Sequence, residues 1–266
     1  MNSKKNLLFT SAGKYCNINE WLSGSSFDIF VVYYGNEKFE YANDVQYLNY
    51  RKGGKFQNLF YVYNTSKNLL TQYDAIMVID DDIKISGINI DKLFEIRSEF
   101  NITILQPSFS HEGKISHSIT GMHPFSKLRY TNFVEVTCPL FSASYLFKFL
   151  DGFDSRANGG GVDFWFCSEA NNRNLHIAIV DEIFCTNPHD RMKNNQREID
   201  FFQSRDARNA NWKTVRMDLG LKFSEGEFIT KKTIYLVKFH QIITYVIQNM
   251  KNLFFRIRSK LKYNRN

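Results

Sequence analysis

The sequence predicts an α/β protein built around a mostly parallel sheet, and three observations support this. Apolar runs alternate with segments of helical spacing through the first half of the chain, as in strands joined by crossover helices. The apolar, mostly β-branched run within residues 73–83 ends in three consecutive carboxylates, which indicates a buried strand with a ligand site at its end. The 266 residues leave room for one large domain and an appendage.

The strand and helix signals follow one another along the chain. A Ser-Ala-Gly turn at 11–13 ends the first strand, and Pro107 ends the fifth. Asn89 or Asp91 caps the second helix, and Ser142 caps the third. The predicted strands are 7–10, 27–34, 58–63, the run before the three acids, 102–106, 132–141 and 176–180, and the predicted helices are 65–72, 89–99 and 142–150.

Cysteine usage and the amino-terminal residues indicate a cytoplasmic protein. The cysteines are far apart and form no C-x-x-C pair, so we expect buried free thiols, as in a reducing compartment. The chain starts directly with a strand, with no signal-peptide pattern, and no run of 18 apolar residues is present. The four cysteines are Cys16, Cys138, Cys167 and Cys185.

The net positive charge lies in the last part of the chain. Residues 231–266 contain nine Lys or Arg and no Asp or Glu, which leaves 25 basic against 27 acidic residues before them. Apolar residues recur there at helical spacing, so we predict a catalytic domain at 1–225 and a basic amphipathic helical tail at 226–266. Such a tail could bind an anionic membrane surface, pack on the domain or bind nucleic acid. The slightly acidic body argues against nucleic acid.

The three acids at the end of the central run are the main candidate site. Asp80, Asp81 and Asp82 would repel one another unless a cation lay nearby, and carboxylate oxygens suit Mg²⁺ or Mn²⁺ that arrives with substrate phosphates. Asp80 and Asp82 lie on the same side of an extended chain. The alternative is a strand end with solvated carboxylates or a helix cap.

A second acid follows a glycine-rich loop. Three consecutive glycines at 159–161 precede Asp163 and an aromatic cluster. This pattern predicts a loop that enters a helix, with the carboxylate in the first turn, where the helix dipole favours negative charge.

These segments together resemble the GT-A glycosyltransferases over about residues 6–190. More narrowly, the chain is similar to an uncharacterised GT-A-like family shared by plants and bacteria. One departure is that Asp163 stands alone where an acid pair usually opens the acceptor-side helix. The segments that carry the resemblance are Asp80-Asp81-Asp82, 104–108, 116–120, 134–135 with 139–142, 161–163 and 177–181.

The resemblance implies roles for individual residues. Asp82 would bind Mn²⁺ or Mg²⁺, Asp80 would lie near the metal or the ribose, and His189 would be a third metal contact. Asp163 would be the general base for an acceptor hydroxyl, with inversion at the anomeric carbon, or else only a helix N-cap. The expected nucleotide-sugar contacts are Thr10, Ser11, Ala12, Gly13, Tyr34, Asp80 and Asp81. His117, Arg129 and Glu135 would line the donor or acceptor pocket or serve as structural polar residues.

The expected function is therefore a metal-dependent glycosyltransferase. It would transfer a hexosyl or related group from a nucleotide-sugar to a glycan or lipid-linked acceptor in bacterial surface polysaccharide synthesis, of capsule or lipopolysaccharide type. It would lie at the inner face of the cell membrane, bound through residues 231–266. The rival interpretations are a Mg²⁺-dependent nucleotidyltransferase and a non-catalytic peripheral membrane scaffold of a glycan-assembly complex.

Overall fold

The fold is described from a computed structural model, which describes residues 5–189, 203–221, 227–236, 247 and 249–251. Within these residues the strands are β1 (Asn6–Ala12), β2 (Phe27–Tyr33), β3 (Tyr47–Tyr50), β4 (Ala75–Val78), β5 (Ile104–Phe109), β6 (Ser126–Thr131), β7 (Leu140–Ser142), β8 (Ile177–Cys185) and β9 (Thr230–Tyr235). The helices are α1 (Ile18–Trp21), α2 (Lys55–Thr65), α3 (Lys67–Leu70), α4 (Gly87–Glu99), α5 (Ala143–Asp151), α6 (Val162–Asn172) and α7 (Arg205–Asp218).

All of these strands belong to one sheet, in the order β3-β2-β1-β4-β7-β5-β8-β6-β9. The first four strands in this order are parallel, β7 runs antiparallel between β4 and β5, and β8 is parallel to β5. Because β1 and β4 pair directly, with Phe9 opposite Val78, the residues that follow them lie side by side at the carboxyl edge of the sheet. The mixed α/β fold with a large central sheet is as predicted.

Both faces of the central strands are covered. Phe9 and Val78 face a cluster formed with α2, α5 and α6, whereas Leu8 and Met77 face a cluster formed with α1 and α4. A strand buried on both faces needs apolar residues at successive positions. This is why β1, β2 and β4 appear in the sequence as continuous apolar runs.

The predicted third strand at 58–63 is wrong, because these residues belong to helix α2. Phe56, Leu59, Val62 and Tyr63 are buried on one side of this helix, a spacing that fits 3.6 residues per turn. The real third strand, β3, lies in the tyrosine-rich segment before the two glycines. A short apolar run rich in aromatic residues is compatible with both the two-residue period of a strand and the 3.6-residue period of a helix, and here the helical period is the correct one.

The bounds of two other predicted strands differ from those in the structure. The predicted strand at 132–141 is reduced to β7, and the preceding residues form an irregular segment, although backbone N–H groups of Val78 and Asp80 donate to the carbonyls of Pro139 and Thr137 at 2.8 Å each. Strand β5 continues past Pro107, with the register shift to β8 at the bond that follows it. A proline has no N–H to donate, so it is tolerated at such an irregularity.

The caps of α4 differ from the prediction. Ser86 is its N-cap, and the Ser86 hydroxyl accepts a hydrogen bond from the Asn89 N–H at 3.3 Å. Asp91 instead accepts hydrogen bonds from the backbone N–H groups of Ser25 and Ser26. The acid therefore anchors the loop before β2 and does not begin the helix.

The predicted helical tail is corrected at its start. Residues 230–235 form β9, an edge strand that pairs antiparallel with β6, so the sheet extends past the predicted domain boundary at 225/226. Ile234 of β9, which sequence analysis had assigned to a helical stripe, pairs with Leu128 of β6. Most of the predicted tail, at 237–246, 248 and 252–266, lies outside the described residues.

The thiols agree with the prediction. All four cysteines are free, and Cys138, Cys167 and Cys185 are buried. In the part of the chain that the structure describes, no helix is both long and apolar enough to cross a bilayer.

Candidate active site

Asp81 connects the loops that follow three parallel strands. The Gly13 N–H, just after β1, donates to Asp81 Oδ2 at 2.8 Å, and the Tyr34 hydroxyl, just after β2, donates to the same oxygen at 3.0 Å. The Asn17 N–H in turn donates to the Asp81 carbonyl at 2.7 Å. These contacts bring together Gly13, Tyr34 and Asp81, which the sequence had assigned to nucleotide binding, at one edge of the sheet.

Three other predicted nucleotide contacts lie inside the protein. Thr10 and Ala12 are 0% exposed and Ser11 is 6% exposed. The Thr10 hydroxyl donates to the Ile79 carbonyl at 2.8 Å, and the Ser11 hydroxyl accepts from the buried Asn58 amide at 2.9 Å. The Thr10 hydroxyl joins β1 to β4 and Ala12 fills the interior, so neither side chain faces the surface, and their contact with a nucleotide stays a prediction.

Lys55 is the principal site residue that sequence analysis missed. Its ammonium lies 2.7 Å from Asp80 Oδ1 and donates to the carbonyls of Val136 at 2.7 Å and Thr137 at 2.9 Å. The Val78 carbonyl oxygen lies near it as well, at 3.4 Å, so four oxygens surround the three N–H donors of the ammonium. The Lys55 side chain is only 9% exposed, and a charge so deeply buried is stable only when paired and hydrogen-bonded.

This ion pair changes the interpretation of the predicted metal site. In the described part of the chain, which includes Asp80, Asp82 and His189, no group of three or more His, Cys, Asp or Glu side chains is placed to hold a metal ion. The predicted three-residue ligand set is therefore not assembled. Asp80 has a cation already, in the form of Lys55, so it does not fit the role of a direct metal ligand.

Asp82 fits a metal better than Asp80 does. It is half-buried at the same edge of the sheet, and Mg²⁺ is commonly held by one or two carboxylates together with substrate phosphates. The chain that leads to His189 also runs beside the acids, because Lys84 and Thr186 form an antiparallel bridge. His189 itself is exposed.

Asp163 lies in the first turn of α6, as predicted, but it is not the N-cap. That position belongs to Gly161, which has φ 96°; a Cβ there would lie 2.2 Å from the Trp212 ring. Asp163 Oδ1 accepts from the Phe164 N–H at 3.0 Å, and Oδ2 accepts from the Val136 N–H at 3.3 Å. Burial raises the pKa of Asp163, and these two hydrogen bonds and the nearby His117 oppose the rise.

Val136 connects the two groups of acids. Its carbonyl accepts a hydrogen bond from Lys55, and its N–H donates to Asp163. Since Lys55 also holds Asp80, the backbone of Val136 and the Lys55 ammonium connect the strand-end acid to the α6 acid. The predicted catalytic and metal-side residues thus belong to one connected polar network.

Glu135 and His117, two of the predicted pocket residues, lie in the same region. Glu135 is 3% exposed, and its charge interacts with that of Asp163. The His117 ring packs against the rings of Phe133 and Phe228, each at 4.9 Å between centroids. Sequence analysis had no periodic signal that would place the segment around residue 117 next to the segment around 135.

Arg129, the third predicted pocket residue, has a structural environment. Its guanidinium donates to both carboxylate oxygens of Asp181, at 2.8 and 2.9 Å, and to the carbonyls of Ile119 and Gly121. The two side chains of the pair are 6% and 0% exposed. Asp181 also accepts from the His123 N–H at 3.0 Å, so this pair fastens the 115–125 segment to β6 and β8.

Comparisons with known proteins support the fold. No protein-family model and no curated protein sequence matches the chain, so the narrower resemblance to the plant and bacterial family gains no support. Among solved structures, the chain is similar to residues 1–349 of S. aureus TarS, with a TM-score of 0.50, 14% identity, and coverage of 84% of this chain and 76% of that one. This is a GT-A-like glycosyltransferase fold.

Two further TarS structures give the extent of the likeness. The crystal structure of S. aureus TarS matches with a TM-score of 0.50 and 14% identity over 83% of this chain, which spans 44% of that chain's length. TarS 1–349 in complex with UDP matches with a TM-score of 0.49 and 12% identity, over 78% of this chain and 65% of that one. At these identities the likeness concerns the fold alone.

Removing Arg129 should destabilise the fold. We expect Arg129→Met to lower the free energy of unfolding by about 3–5 kcal/mol, because it leaves the Asp181 carboxylate buried without a partner. Lys127→Met is the control; it removes a surface cation from the same strand and should cost no more than about 1 kcal/mol. The double variant Arg129→Met/Asp181→Leu should recover part of the loss. Urea unfolding measures all three, and an Arg129→Met protein as stable as the control would contradict the structural role.

Proposed function

We propose that this protein is a glycosyltransferase that uses a nucleotide-sugar donor. The proposal depends chiefly on one observation: at the carboxyl edge of the sheet, Asp81 joins the loops after β1 and β2, while Lys55 joins Asp80 to the segment that holds Asp163. Ligands of open α/β sheets bind at this edge. In support, the chain shares its fold with TarS, which has been crystallised with UDP and with UDP-GlcNAc.

The donor would place its diphosphate near the acids that follow β4. A divalent Mn²⁺ or Mg²⁺ held by Asp82 would supply positive charge for the departing diphosphate. Asp80 would act differently, since its charge is already balanced by Lys55. Gly13 and Tyr34 would take part in shaping the nucleoside side of the site through Asp81, to which both donate.

Asp163 would take the proton of the acceptor hydroxyl. A general base works best when its pKa lies close to the working pH, and burial raises the pKa of Asp163 above the usual range for an aspartate. Two backbone N–H groups hold its orientation. Direct attack by the deprotonated hydroxyl on the anomeric carbon would invert the configuration there.

The acceptor would be a glycan or a lipid-linked saccharide of a bacterial surface polysaccharide. The support for this part is the basic, apolar composition of residues 231–266, which suits an anionic membrane surface on the inner face of the cell membrane. Each Lys or Arg close to such a surface contributes about 1 kcal/mol. The first two of these charges, Lys231 and Lys232, lie on the exposed edge strand β9.

A nucleotidyltransferase receives less support. It would need cationic side chains near β1 for a triphosphate, and Lys14, which follows that strand, is highly exposed and lies 3.8 Å from Glu37. The scaffold interpretation also gains nothing, because the acids and their partners are in place.

The donor and the metal can be tested together by ligand-induced stabilisation. A ligand that binds only the native state raises the melting temperature, so UDP-, GDP-, CMP- and dTDP-sugars should be screened with and without Mn²⁺. We expect one nucleotide to stabilise the protein in a Mn²⁺-dependent way and Asp82→Ala to abolish that dependence. Asp44→Ala, an exposed acid away from this edge, is the control. A folded Asp82→Ala protein with unchanged metal dependence would contradict the role of Asp82.

The role of Asp163 as general base can be tested by replacing its carboxylate with an amide. Asp163→Asn should reduce the rate of transfer by roughly 10²–10⁴-fold while donor binding persists, because an amide cannot accept the acceptor's proton. It should also cost about 1–3 kcal/mol of stability, since one of the two backbone N–H groups would face an NH₂ group. Single-turnover rates on a soluble acceptor analogue measure the effect. Turnover close to that of the unaltered protein would assign the base to another residue.

The tail can be tested on vesicles. A chain that ends after Leu236 keeps β9, whereas one that ends at 226 loses it and should unfold more readily. We expect the full chain to co-sediment with anionic vesicles, less so at high salt because of screening, and the chain that ends after Leu236 to stay in solution while it still binds nucleotide. If the full chain remains in the supernatant at low salt, the membrane role is wrong; a large fall in melting temperature on truncation would instead indicate packing against the domain.

A further inference from the structure

Glu135 is a buried acid for which the proposed reaction has no role. It lies on the irregular segment before β7, one residue from the Val136 peptide that links Lys55 and Asp163. The Thr120 hydroxyl lies 2.6 Å from Glu135 Oε1, and the His117 N–H donates to the same oxygen at 3.3 Å. The backbone N–H of Glu135 donates to the side-chain oxygen of Gln106. The Glu135 side chain is therefore fixed on several sides.

The contacts of the Thr120 hydroxyl fit a protonated Glu135. The Thr120 hydroxyl lies 2.7 Å from the His117 carbonyl oxygen and 2.6 Å from Glu135 Oε1. A hydroxyl has a single hydrogen to donate, so with Glu135 ionised only one of these two oxygens receives it. With Glu135 protonated, Thr120 donates to the His117 carbonyl, which also accepts from the Thr120 N–H at 3.0 Å, and the Glu135 carboxyl donates to Thr120.

Several polar and titratable groups surround Glu135. The carboxylate of Asp163 acts on it from α6, the Thr120 hydroxyl and the His117 N–H lie at the 3-10 turn and its cap, and the Thr137 hydroxyl lies on its own segment. The His117 ring acts on the neighbouring Asp163. The Cys138 thiol, also within electrostatic range, stays neutral because burial raises its pKa. Burial first, and then the charge of Asp163, raises the pKa of Glu135 to about 7, against the opposing effect of the hydrogen bonds that the carboxylate accepts when it is ionised.

We propose that Glu135 is a positioning residue that holds a proton at neutral pH beside Asp163, so that the two buried acids carry one negative charge between them. Loss of this proton puts a second charge next to Asp163, which makes Asp163 a stronger base and at the same time removes the Glu135–Thr120 hydrogen bond. The effect on transfer rests on the proposed function, whereas the proton on Glu135 does not.

The proton itself can be detected through stability. A carboxyl whose pKa is about 7 in the folded chain and 4.5 in the unfolded chain is protonated more fully in the native state between these values, so its contribution to stability is present at low pH and is lost as the pH rises to about 7. Relative to Glu135→Gln, the unfolding equilibrium constant of the unaltered protein should rise by up to about tenfold per pH unit in this window.

The measurement is urea unfolding at several pH values from 4.5 to 8. Glu112→Gln, an exposed glutamate, is the matched control and should keep the pH dependence of the unaltered protein. Parallel stability curves for the unaltered protein and Glu135→Gln would overturn the proposal, whatever the protein's activity proves to be.

Two further measurements separate a proton-holding role from simple packing. Isotope-edited infrared spectra of the unaltered protein should show a protonated glutamate band at pH 6 that disappears by pH 8, which serves even if Glu135→Gln does not fold. In Asp163→Asn the disappearance should move to lower pH, because the neighbouring negative charge is gone. No such band at pH 6, or a band that Asp163→Asn does not move, would overturn the proposal.

The activity measurement tests the consequence for the base. The transfer rate of the unaltered protein should increase with pH around pH 7. This increase should be absent in Glu135→Gln, with donor affinity unchanged. If the increase persists in Glu135→Gln, the link to Asp163 is overturned. Absence of any nucleotide-sugar binding would instead count against the proposed function and leave the stability and infrared results as the test of the proton.

Discussion

The ion pair between Lys55 and Asp80 is the interaction on which the candidate site depends. The oxygens around the Lys55 ammonium come from two separate parts of the chain, the end of β4 and the irregular segment before β7. Burying an ammonium is costly unless all its donors are satisfied, so any shift of either part would leave a charge without a partner. The position of Val136, and through it of Asp163, follows from this requirement.

The acids at this edge of the sheet differ in the polar groups that the protein places around them. Asp80 has an ammonium, Asp81 has a hydroxyl and a backbone N–H, and Asp163 has two backbone N–H groups. The inferred proton on Glu135 would remove a fourth charge. A cluster of acids is usually taken as a sign of a metal ion; here Lys55 balances the charge of Asp80, and hydrogen bonds hold Asp81 and Asp163 in place.

Much of the fold could be predicted from the sequence because β1, β2 and β4 are buried on both faces and so form continuous apolar runs. The positions of the three acids and of Asp163 in the first turn of a helix followed from the same kind of local pattern. Lys55 and the Arg129–Asp181 pair could not be assigned, because their partners are distant in sequence and no periodicity encodes them. Strand β9 was mistaken for a helix because its residues, TKKTIY, show no alternation of polar and apolar positions and lie next to a longer run of helical spacing.

The late position of β9 has a consequence for synthesis of the protein. About 45 residues separate the end of β8 from the start of β9, and at the usual rate of translation the ribosome needs roughly 2–9 s to add them. During that time β6 has its neighbour β8 but an open outer edge, which can pair with strands of other chains. The nascent chain therefore passes through an interval of increased aggregation risk, which ends when β9 leaves the ribosomal tunnel and pairs with β6.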